Sequence, residues 1–530
     1  MKTPSAILAL GMIVLAPCFS AAQIAVPAVD SINFDSIKSA RGNSSDLPGV
    51  VGEALRIKYR VKDGRGAEPP EIPPNLTNPQ IFDLMTRLVK VARPLANPPI
   101  MTGDQMTRLR SGLNSIDRYF VDSIPKERWD EILQAMGDTA QDELPRNRDW
   151  DKTIDLMFTK GMALLKEPHS AYMTPADVRE LYEGLSGSFD GIGAALSAAK
   201  EGPRVDVVYP ESGAQSAGLQ RGDVIVTVQN VSTAGLPLNE VVRKIRGPAG
   251  TSVVLTVLRG GRRLDPIRVN RTKLKVPNAF SKMLAGGIGY VYFSEFNENT
   301  DELVFQKIRD LRSQGAQSLV LDIRHNPGGS VPVVASIVSE FLKDGQAIVS
   351  FKHQSMLAHK YITDGDGEFS KLPVVVLVDG RSASASEILS GALQDPQRGF
   401  TILKSWPYVR FPIFSGEPDG RFTIVGSRTY GKGTEQIVKP EPDNRGLRIT
   451  ENRWYTPNDR NIDAQHDPKN GMEIAGTGGI VPDVIVDVSE EQSAKIIENI
   501  MAELFQSQSR IPDSTKDPVL EKAVEILSRR

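Results

Sequence analysis

The chain has 530 residues, which is too many for one hydrophobic core and predicts two to four domains. Its 63 lysine and arginine residues nearly balance 65 acidic residues, and the formal net charge of −2 gives no electrostatic reason to expect a nucleic-acid partner. The only cysteine is Cys18, so the folded part can contain neither a disulfide nor a thiolate metal site.

Residues 1–22 have the pattern of a Sec signal peptide. A lysine near the start precedes a short apolar run, and the small residues Ser20 and Ala22 precede a cleavage site at Gln23. The apolar run is shorter than the ~20 residues that span a bilayer, so we expect an exported protein, periplasmic or secreted. Lipoprotein anchoring at Cys18 is the disfavoured alternative, because a proline precedes the cysteine.

Residues 23–79 contain many prolines and scattered charges without an apolar period, which predicts a flexible lead-in. Residues 80–187 show apolar residues at helical spacing and predict a mostly helical region. Pro168, His169 and Ser170 interrupt this pattern. We interpret His169 as a turn histidine, and a catalytic base is the less favoured alternative.

Residues 188–275 change to strand periodicity. Short apolar runs at Val205–Val208, Val224–Val228 and Val253–Leu258 alternate with turns, and Leu238–Ile245 suits a short helix. The order of these elements resembles a PDZ domain.

The resemblance extends to residues 213–225, which read GAQSAGLQRGDVI. It implies that the backbone amides of Gly191, Ile192, Gly193 and Ala194 bind the terminal carboxylate of a peptide, which adds as a strand to the sheet edge. Glycines are needed because bulky side chains would block that approach. The alternative is that the two glycines only form a tight turn.

Residues 276–489 alternate strands with helices and predict an α/β core with buried strands. The predicted strands and helices are Tyr290–Phe293, Glu302–Leu311, Ser318–Ile323, Val331–Leu342, Pro373–Val378 and a helix after Ser382. Two turns follow strands of this core, one at residues 326–329 and one at the serine-rich run 382–386. Open α/β sheets place their sites at such carboxyl ends, so the two turns could face one cleft.

Ser384 allows two interpretations. A serine exposed where a buried strand turns into a helix suits a nucleophile. The same segment is a capping box, in which the serine oxygen accepts the amide of Glu387 and the glutamate side chain reaches back. A cap alone would explain the isolated segment, and Glu387 is interpreted only as a cap. The glycine-flanked Lys432 downstream favours the nucleophile, because burial can neutralise a lysine.

Residues 490–530 have the amphipathic pattern of a helical tail, typical of a packing or dimer surface. The five histidines include no pair at the i, i+4 spacing of a helical zinc site. A metal-dependent hydrolase is therefore disfavoured, and no metal or other cofactor is expected.

Seven segments, in order, resemble the carboxyl-terminal processing (tail-specific) proteases, a serine-lysine peptidase family with an embedded PDZ domain. The resemblance covers most of the chain. The segments are residues 167–175, 189–193, 321–329, 382–388, 430–433, 455–457 and 479–484. It implies a multidomain fold of mixed α+β and α/β type, with a helical N-terminal region, a PDZ-like β module, a serine protease core of the ClpP/crotonase type and a helical C-terminal tail.

By this resemblance Ser384 is the nucleophile, Lys432 the general base and Gln436 a residue that positions the lysine. The oxyanion hole would consist of the amides of Ala385 and Gly329. A serine hydroxyl needs a base, and an ammonium with the usual pKa of ~10.4 cannot act as one, so the lysine must be neutral. Burial can supply the ~4 kcal/mol that corresponds to a shift of about three pKa units.

The chain departs from the family in the longer separation between the serine and the lysine. The extra residues are Ser405–Phe422, a proline-rich stretch that reads equally well as a lid over the cleft or as a surface loop. Lys404 is a rival base, but it lacks the flanking glycines and the following glutamine.

The predicted function is an exported serine endopeptidase whose PDZ domain recognises the C-terminal tails of client proteins or peptides. The alternative is a catalytically silent scaffold that only binds such tails. The presence of the serine, the lysine and the glutamine favours the enzyme. An adaptor protein and a homodimer remain open as further partners.

Overall fold

The computed structural model describes residues 77–92, 99–275, 278–364, 367–398, 420–465, 474, 476–504 and 516–530. The expected signal peptide, nearly all of the expected lead-in, Lys404 and residues 405–419 of the insertion lie outside these ranges. Within them, no helix has both the length and the apolarity to cross a membrane.

The N-terminal region is mainly helical. Its elements are α1 (Asn78–Ala92), α2 (Gly103–Tyr119), α3 (Lys126–Asn147), α4 (Trp150–Ala163), β1 (Ala171–Met173) and α5 (Pro175–Ser186). Capping boxes at Thr102 and Thr174 start α2 and α5. The helices bury one apolar cluster around Trp129 and Phe158. The pattern break at residues 168–170 is confirmed as a turn, but the strand β1 that follows it was not predicted.

A seven-stranded antiparallel sheet forms the PDZ module. Its elements, with the two flanking strands β2 and β10, are β2 (Ser188–Gly191), β3 (Ala194–Ser197), β4 (Arg204–Val208), α6 (Gly213–Ser216), β5 (Val224–Val228), β6 (Val231–Ser232), α7 (Leu238–Ile245), β7 (Ser252–Arg259), β8 (Arg262–Arg263), β9 (Ile267–Asn270) and β10 (Thr272–Lys275). Among the described strands, β3 pairs only with β4 and lies at the edge of the sheet, while β2 and β10 form a separate antiparallel pair.

The protease core is built on a six-stranded sheet and a second, five-stranded sheet. Its elements are β11 (Ala279–Leu284), β12 (Ile288–Phe293), α8 (Thr300–Ser313), β13 (Ser318–Asp322), α9 (Val331–Ser339), β14 (Ala347–His353), β15 (Met356–Ile362), β16 (Val374–Val378), α10 (Ala385–Arg398), β17 (Phe422–Gly426), β18 (Thr434–Glu441), β19 (Arg445–Tyr455) and β20 (Val484–Ile485). The six-stranded sheet has the order β11-β12-β13-β16-β17-β20 and is parallel apart from β11.

Successive side chains of the central strands point to opposite faces of this sheet, and they are apolar on both faces. Both faces are therefore covered by helices. Leu319 and Leu321 of β13 pack against helices α8, α9 and α10. Val320 faces the other way, toward the tail helices α11 (Glu490–Leu504) and α12 (Pro518–Ser528). The amphipathic tail is therefore helical, as predicted, and its apolar face packs on the core.

The five-stranded sheet joins distant parts of the chain. Its order is β1-β19-β14-β15, and β18 also pairs with β19. The strand β1 of the N-terminal region pairs with residues 446–448 of β19. Leu447 and Ile449 of β19 are buried in the cluster of the N-terminal helices. This sheet connects the helical region to the strand that follows Lys432.

Candidate active site

Ser384 lies in the turn between β16 and α10, as expected, but it is fully buried and not exposed as the sequence predicted. Its backbone has a φ of 60°, in the left-handed region that residues other than glycine rarely adopt. Gly328 packs directly against it, because a Cβ atom on that glycine would lie 2.6 Å from the Cβ of Ser384. The turns at 326–329 and 382–386 therefore lie against each other, and the cleft between them stays a prediction.

Only half of the predicted capping box is formed. The amide of Ser384 donates to Oε2 of Glu387 over 2.7 Å. The amide of Glu387 donates to the backbone carbonyl of Ser384 rather than to its hydroxyl. Among the described residues the Ser384 hydroxyl has no hydrogen-bond partner. The cap therefore leaves the serine oxygen free for other chemistry.

Glu387 does more than cap the helix, which corrects its interpretation as a cap alone. Its Oε2 also accepts from the amide of Lys432 at 2.9 Å. Its Oε1 accepts from the Thr429 hydroxyl and the Gly431 amide at 2.6 and 2.7 Å. Burial raises the pKa of Glu387 to about 7, although these donors oppose the rise. One carboxylate thus joins the turn that carries the serine to the turn that carries the lysine.

The Lys432 side chain is buried, with 1% of the residue exposed. Burial lowers its pKa to about 7, the charge of Arg448 lowers it further, and the carboxylates of Glu167, Glu387 and Asp463 oppose the change. Within the described ranges its Nζ has no hydrogen-bond partner, so the structure forms no hydrogen bond between this amine and the Ser384 hydroxyl. The arrangement can hold a neutral amine in the core.

Neighbouring contacts fix the backbone of the lysine turn. The indole of Trp454 donates to the carbonyl of Lys432 over 2.9 Å. The amide of Gly433 donates to a carboxylate oxygen of Asp463, also at 2.9 Å. A Cβ atom at Gly433 would lie 2.6 Å from the amide nitrogen of Asp463, so this turn requires glycine.

Gln436 is fully buried but does not hydrogen-bond to Lys432. Its Nε2 donates to the hydroxyls of Thr434 and Thr450, at 3.0 and 3.1 Å. The Thr450 hydroxyl in turn donates to Oε2 of Glu167 over 2.6 Å. This series of hydrogen bonds therefore orients the glutamine through Thr450 and Glu167. Neither residue was identified as a candidate from the sequence.

The turn before β1 supplies this glutamate. Oε2 of Glu167 also accepts from the Ser170 hydroxyl, at 2.7 Å. The backbone carbonyl of His169 accepts from Nε of Arg448, at 2.8 Å. Glu167 could have been identified from the sequence because it begins the first of the seven segments. In that segment only His169 was considered as a candidate.

The turn at 326–329 packs against the turn that carries the serine. The Gly328 amide donates to Oδ1 of its neighbour Asn326 over 2.9 Å. No acceptor within the described residues takes the amide of Gly329 or of Ala385. A Cβ atom at Gly329 would lie 2.3 Å from the carbonyl oxygen of Phe296, so only glycine fits. Both amides named for an oxyanion hole are thus free of other partners in this part of the protein.

The glycine loop of the PDZ module lies between β2 and the edge strand β3. Gly193 has a φ of 79°, and a Cβ atom there would lie 2.2 Å from the Cβ of Ser212. The carbonyls of Ile192 and Gly193 accept from the amides of Ala214 and Tyr209. For the amides of Ile192 and Gly193 the described ranges contain no acceptor. Ala194, the last of the four predicted residues, begins β3.

Comparison with known families gives two matches. Residues 287–406 and 418–486 match peptidase family S41, and residues 204–259 match the PDZ domain. A probable CtpA-like serine protease of Staphylococcus aureus strain COL is 30% identical over 392 residues, which cover 73% of this chain and 69% of that protein.

Two solved structures are also similar. The photosystem II D1 C-terminal processing protease is 26% identical with a TM-score of 0.44, and the match covers 73% of this chain and 94% of that one. The PDZ domain of a carboxy-terminal protease from Vibrio cholerae in complex with peptide is 31% identical with a TM-score of 0.16, covering 17% of this chain and 99% of that domain.

Proposed function

The chain belongs to peptidase family S41 and is a serine protease with a PDZ domain, and from this premise we propose that it is an exported endopeptidase that cleaves proteins selected by their C-terminal tails. In this proposal Ser384 is the nucleophile and Lys432 is the general base. One observation carries it: Ser384 and Lys432 have a buried hydroxyl and a buried amine without partners among the described residues, and one oxygen of Glu387 accepts from the backbone amides of both.

The reaction follows from the protonation state of the lysine. The neutral amine of Lys432 takes the proton of the Ser384 hydroxyl while the serine oxygen attacks the scissile carbonyl carbon. The negative charge that forms on the carbonyl oxygen is stabilised by the amides of Gly329 and Ala385. The ammonium then returns the proton to the leaving amine as the peptide bond breaks. A water molecule, deprotonated by the same lysine, then attacks the acyl carbon, and the ammonium returns the proton to the Ser384 oxygen as the ester bond breaks.

Gln436 supports the base without restoring its charge. An amide group is neutral, so contact with the lysine holds the amine in line and does not raise its pKa as a carboxylate would. Because its Nε2 is occupied by two threonine hydroxyls, the free Oε1 is the atom available to Lys432 when the amine moves toward the serine.

In this proposal, tail selection uses β3, the edge strand of the PDZ sheet. A peptide can add to β3 as a further antiparallel strand, with its carboxylate at the amides of residues 191–194. The helix α7 presents Leu238 and Val242 beside this sheet, half buried against the module's core. Apolar C-terminal residues are therefore the preferred ligands. A client that ends in a carboxamide should be cleaved more slowly than the same client with a free carboxylate.

The replacement Ser384→Ala tests the chemistry. We expect no cleavage of an unfolded client protein by the variant, because it lacks the hydroxyl that forms the acyl-enzyme. Ser390→Ala is the matched control, since it removes a buried serine hydroxyl from α10, the helix that follows Ser384, and leaves the site intact. Turnover by Ser384→Ala at the rate of the control would contradict the assignment of the nucleophile.

Export is tested separately. Protein recovered from outside the cytoplasm of the producing cell should begin at Gln23, as determined by mass spectrometry of its N-terminal peptide. Recovery of the chain with residues 1–22 attached, in the cytoplasmic fraction alone, would remove this part of the proposal.

A further inference from the structure

The loop that carries the proposed oxyanion-hole glycine is held from two sides. We call residues 323–329, between β13 and α9, the oxyanion loop. On the serine side, the carbonyl of Asn326 accepts from the amide of Ala383 and from the Ser386 hydroxyl, at 3.0 and 2.8 Å. On the opposite side, its partners come from the C-terminal tail.

Arg324 provides the first connection to the tail. The residue is 3% exposed, and its guanidinium lies between the carboxylates of Asp322 and Asp517. Two parallel hydrogen bonds of 2.9 and 2.8 Å join it to Oδ1 and Oδ2 of Asp517, which is 193 residues away in sequence. Such paired bonds fix orientation as well as distance. Asp517 is also the N-cap of α12, accepting from the amide of Leu520.

His325 provides the second connection. Its φ of 59° is left-handed, a conformation that persists in a residue other than glycine only where surrounding contacts enforce it. Its amide and its Nε2 contact the two carboxylate oxygens of Asp379, each at 3.0 Å. The same Nε2 lies 3.0 Å from the hydroxyl of Ser493 in α11. Asp379 also accepts from the amide of Ser382, so this contact reaches the serine turn.

We propose that Asp517 and Ser493 of the tail helices are positioning residues for the oxyanion loop. They hold Arg324 and His325, and through them the amide of Gly329, in the geometry that meets the transition state. This inference rests on the proposed function, in which that amide binds the oxyanion. Because the amide interacts with negative charge that exists only in the transition state, its displacement lowers kcat and leaves KM nearly unchanged.

The replacement Asp517→Asn tests the role of the tail. Asparagine caps a helix as well as aspartate does, so α12 is preserved, but its neutral amide cannot pair with the guanidinium through two oxygens. We expect kcat to fall by about tenfold to a hundredfold, with KM within about twofold of the wild-type value, since misplacement by ~1 Å can cost a hundredfold in rate. Steady-state kinetics on a short peptide measures both constants.

Two further variants make the test decisive. Asp149→Asn changes the N-cap of α4, remote from the oxyanion loop, and should leave kcat unchanged. Ser493→Ala removes one hydrogen bond to His325 and should lower kcat by about threefold to tenfold, the worth of one neutral hydrogen bond. It decides the question if Asp517→Asn does not fold.

The inference is overturned if the folded Asp517→Asn enzyme, or Ser493→Ala in its place, keeps the wild-type kcat. It is also overturned if Asp149→Asn loses kcat to the same extent, or if only KM changes. These results differ from a failure of the proposed function. An inactive Ser384→Ala together with a fully active Asp517→Asn refutes only the role of the tail, whereas an active Ser384→Ala refutes the chemistry itself.

Discussion

The PDZ module and the protease core are assembled in different ways. The module's apolar core, from Ile192 to Val269, is built from residues of one continuous stretch. The protease core, in contrast, pairs β1 near residue 171 with β19 and packs the tail helices against β13. The binding surface of the module can therefore form from one continuous segment, whereas the catalytic site requires segments that are distant in the sequence to pack together.

The two regions also treat buried charge differently. Asp223 of the module is fully buried, and Arg259 neutralises it through hydrogen bonds to both carboxylate oxygens. Lys432 of the core is equally buried, and within the described part of the chain its Nζ has no hydrogen-bond partner. The module pairs its buried charge with an opposite charge, whereas the core gives up stability to keep a reactive amine.

The replacement Lys432→Met should show this difference most strongly. Activity should fall by about a thousandfold or more through loss of the general base. The free energy of unfolding at pH 7 should rise, because lowering the lysine's pKa from 10.5 to about 7 costs the folded state on the order of 4 kcal/mol. Urea denaturation and kinetics of the same sample measure both. Lys343→Met, at an exposed position, is the control, and a loss of stability in Lys432→Met would contradict the comparison.

Glu387→Gln should have the next largest effect. Each oxygen of the carboxylate accepts two hydrogen bonds, from Ser384 and Lys432 on one side and from Thr429 and Gly431 on the other. In glutamine the NH₂ group replaces one of these oxygens and cannot accept from the two donors that it faces. We expect kcat to fall by about a hundredfold and the free energy of unfolding by about 2 kcal/mol. Glu368→Gln, in an ion pair near the surface, should change neither by much. Wild-type kinetics for Glu387→Gln would show that the two turns do not need this tether.

The pH dependence should fall on the core and not on the module. Protonation of Lys432, with a pKa near 7, removes the base, so kcat/KM should decline about tenfold per pH unit below this value. Glu387 titrates in the same range, so the midpoint belongs to the pair. In Glu387→Gln the midpoint should move to lower pH, because the carboxylate raises the pKa of the lysine. Rates that stay constant from pH 8 to pH 5 would exclude lysine as the base.

A change in the PDZ loop should have the smallest effect on chemistry. Gly193→Ala places a Cβ atom against Ser212 and distorts the loop, so KM for a tail-bearing client should rise about tenfold while kcat for a short peptide stays unchanged. Gly260→Ala is the control, because that glycine also has a positive φ but has open space around it. A fall in kcat for the short peptide would show that the two regions are coupled.

Local signals were sufficient for the module and for parts of the core. The strand Val224–Val228 and the helix Leu238–Ile245 were predicted with the bounds that the structure shows, because their apolar period and turns lie within a few residues. Ser384 and Lys432 could be named because their segments belong to a series of seven that resembles a known protease family in the same order. The structure places both in the buried site, although it forms no hydrogen bond between them.

Long-range contacts were not accessible in this way. Three features join residues that are far apart in the chain, so no local sequence pattern indicates them. They are the pairing of β1 with β19, the hydrogen bond between Thr450 and Glu167, and the hydrogen bonds of Glu387 to the lysine turn. A strand of three residues inside a helical region is also too short to show an alternation. These features arise from tertiary structure, which overrides local preference.

The pairing of β1 with β19 also affects the order of events during synthesis. Residues 171–173 emerge from the ribosome long before their partners at 446–448. Translation adds about 5–20 residues per second, so β19, the strand that completes the apolar cluster of the helical region, is made on the order of tens of seconds after that region. Until that strand has been made, the apolar surface that Leu447 and Ile449 cover in the folded protein stays exposed to solvent. The catalytic site is also incomplete until then, because Trp454 of the same strand holds the turn of Lys432.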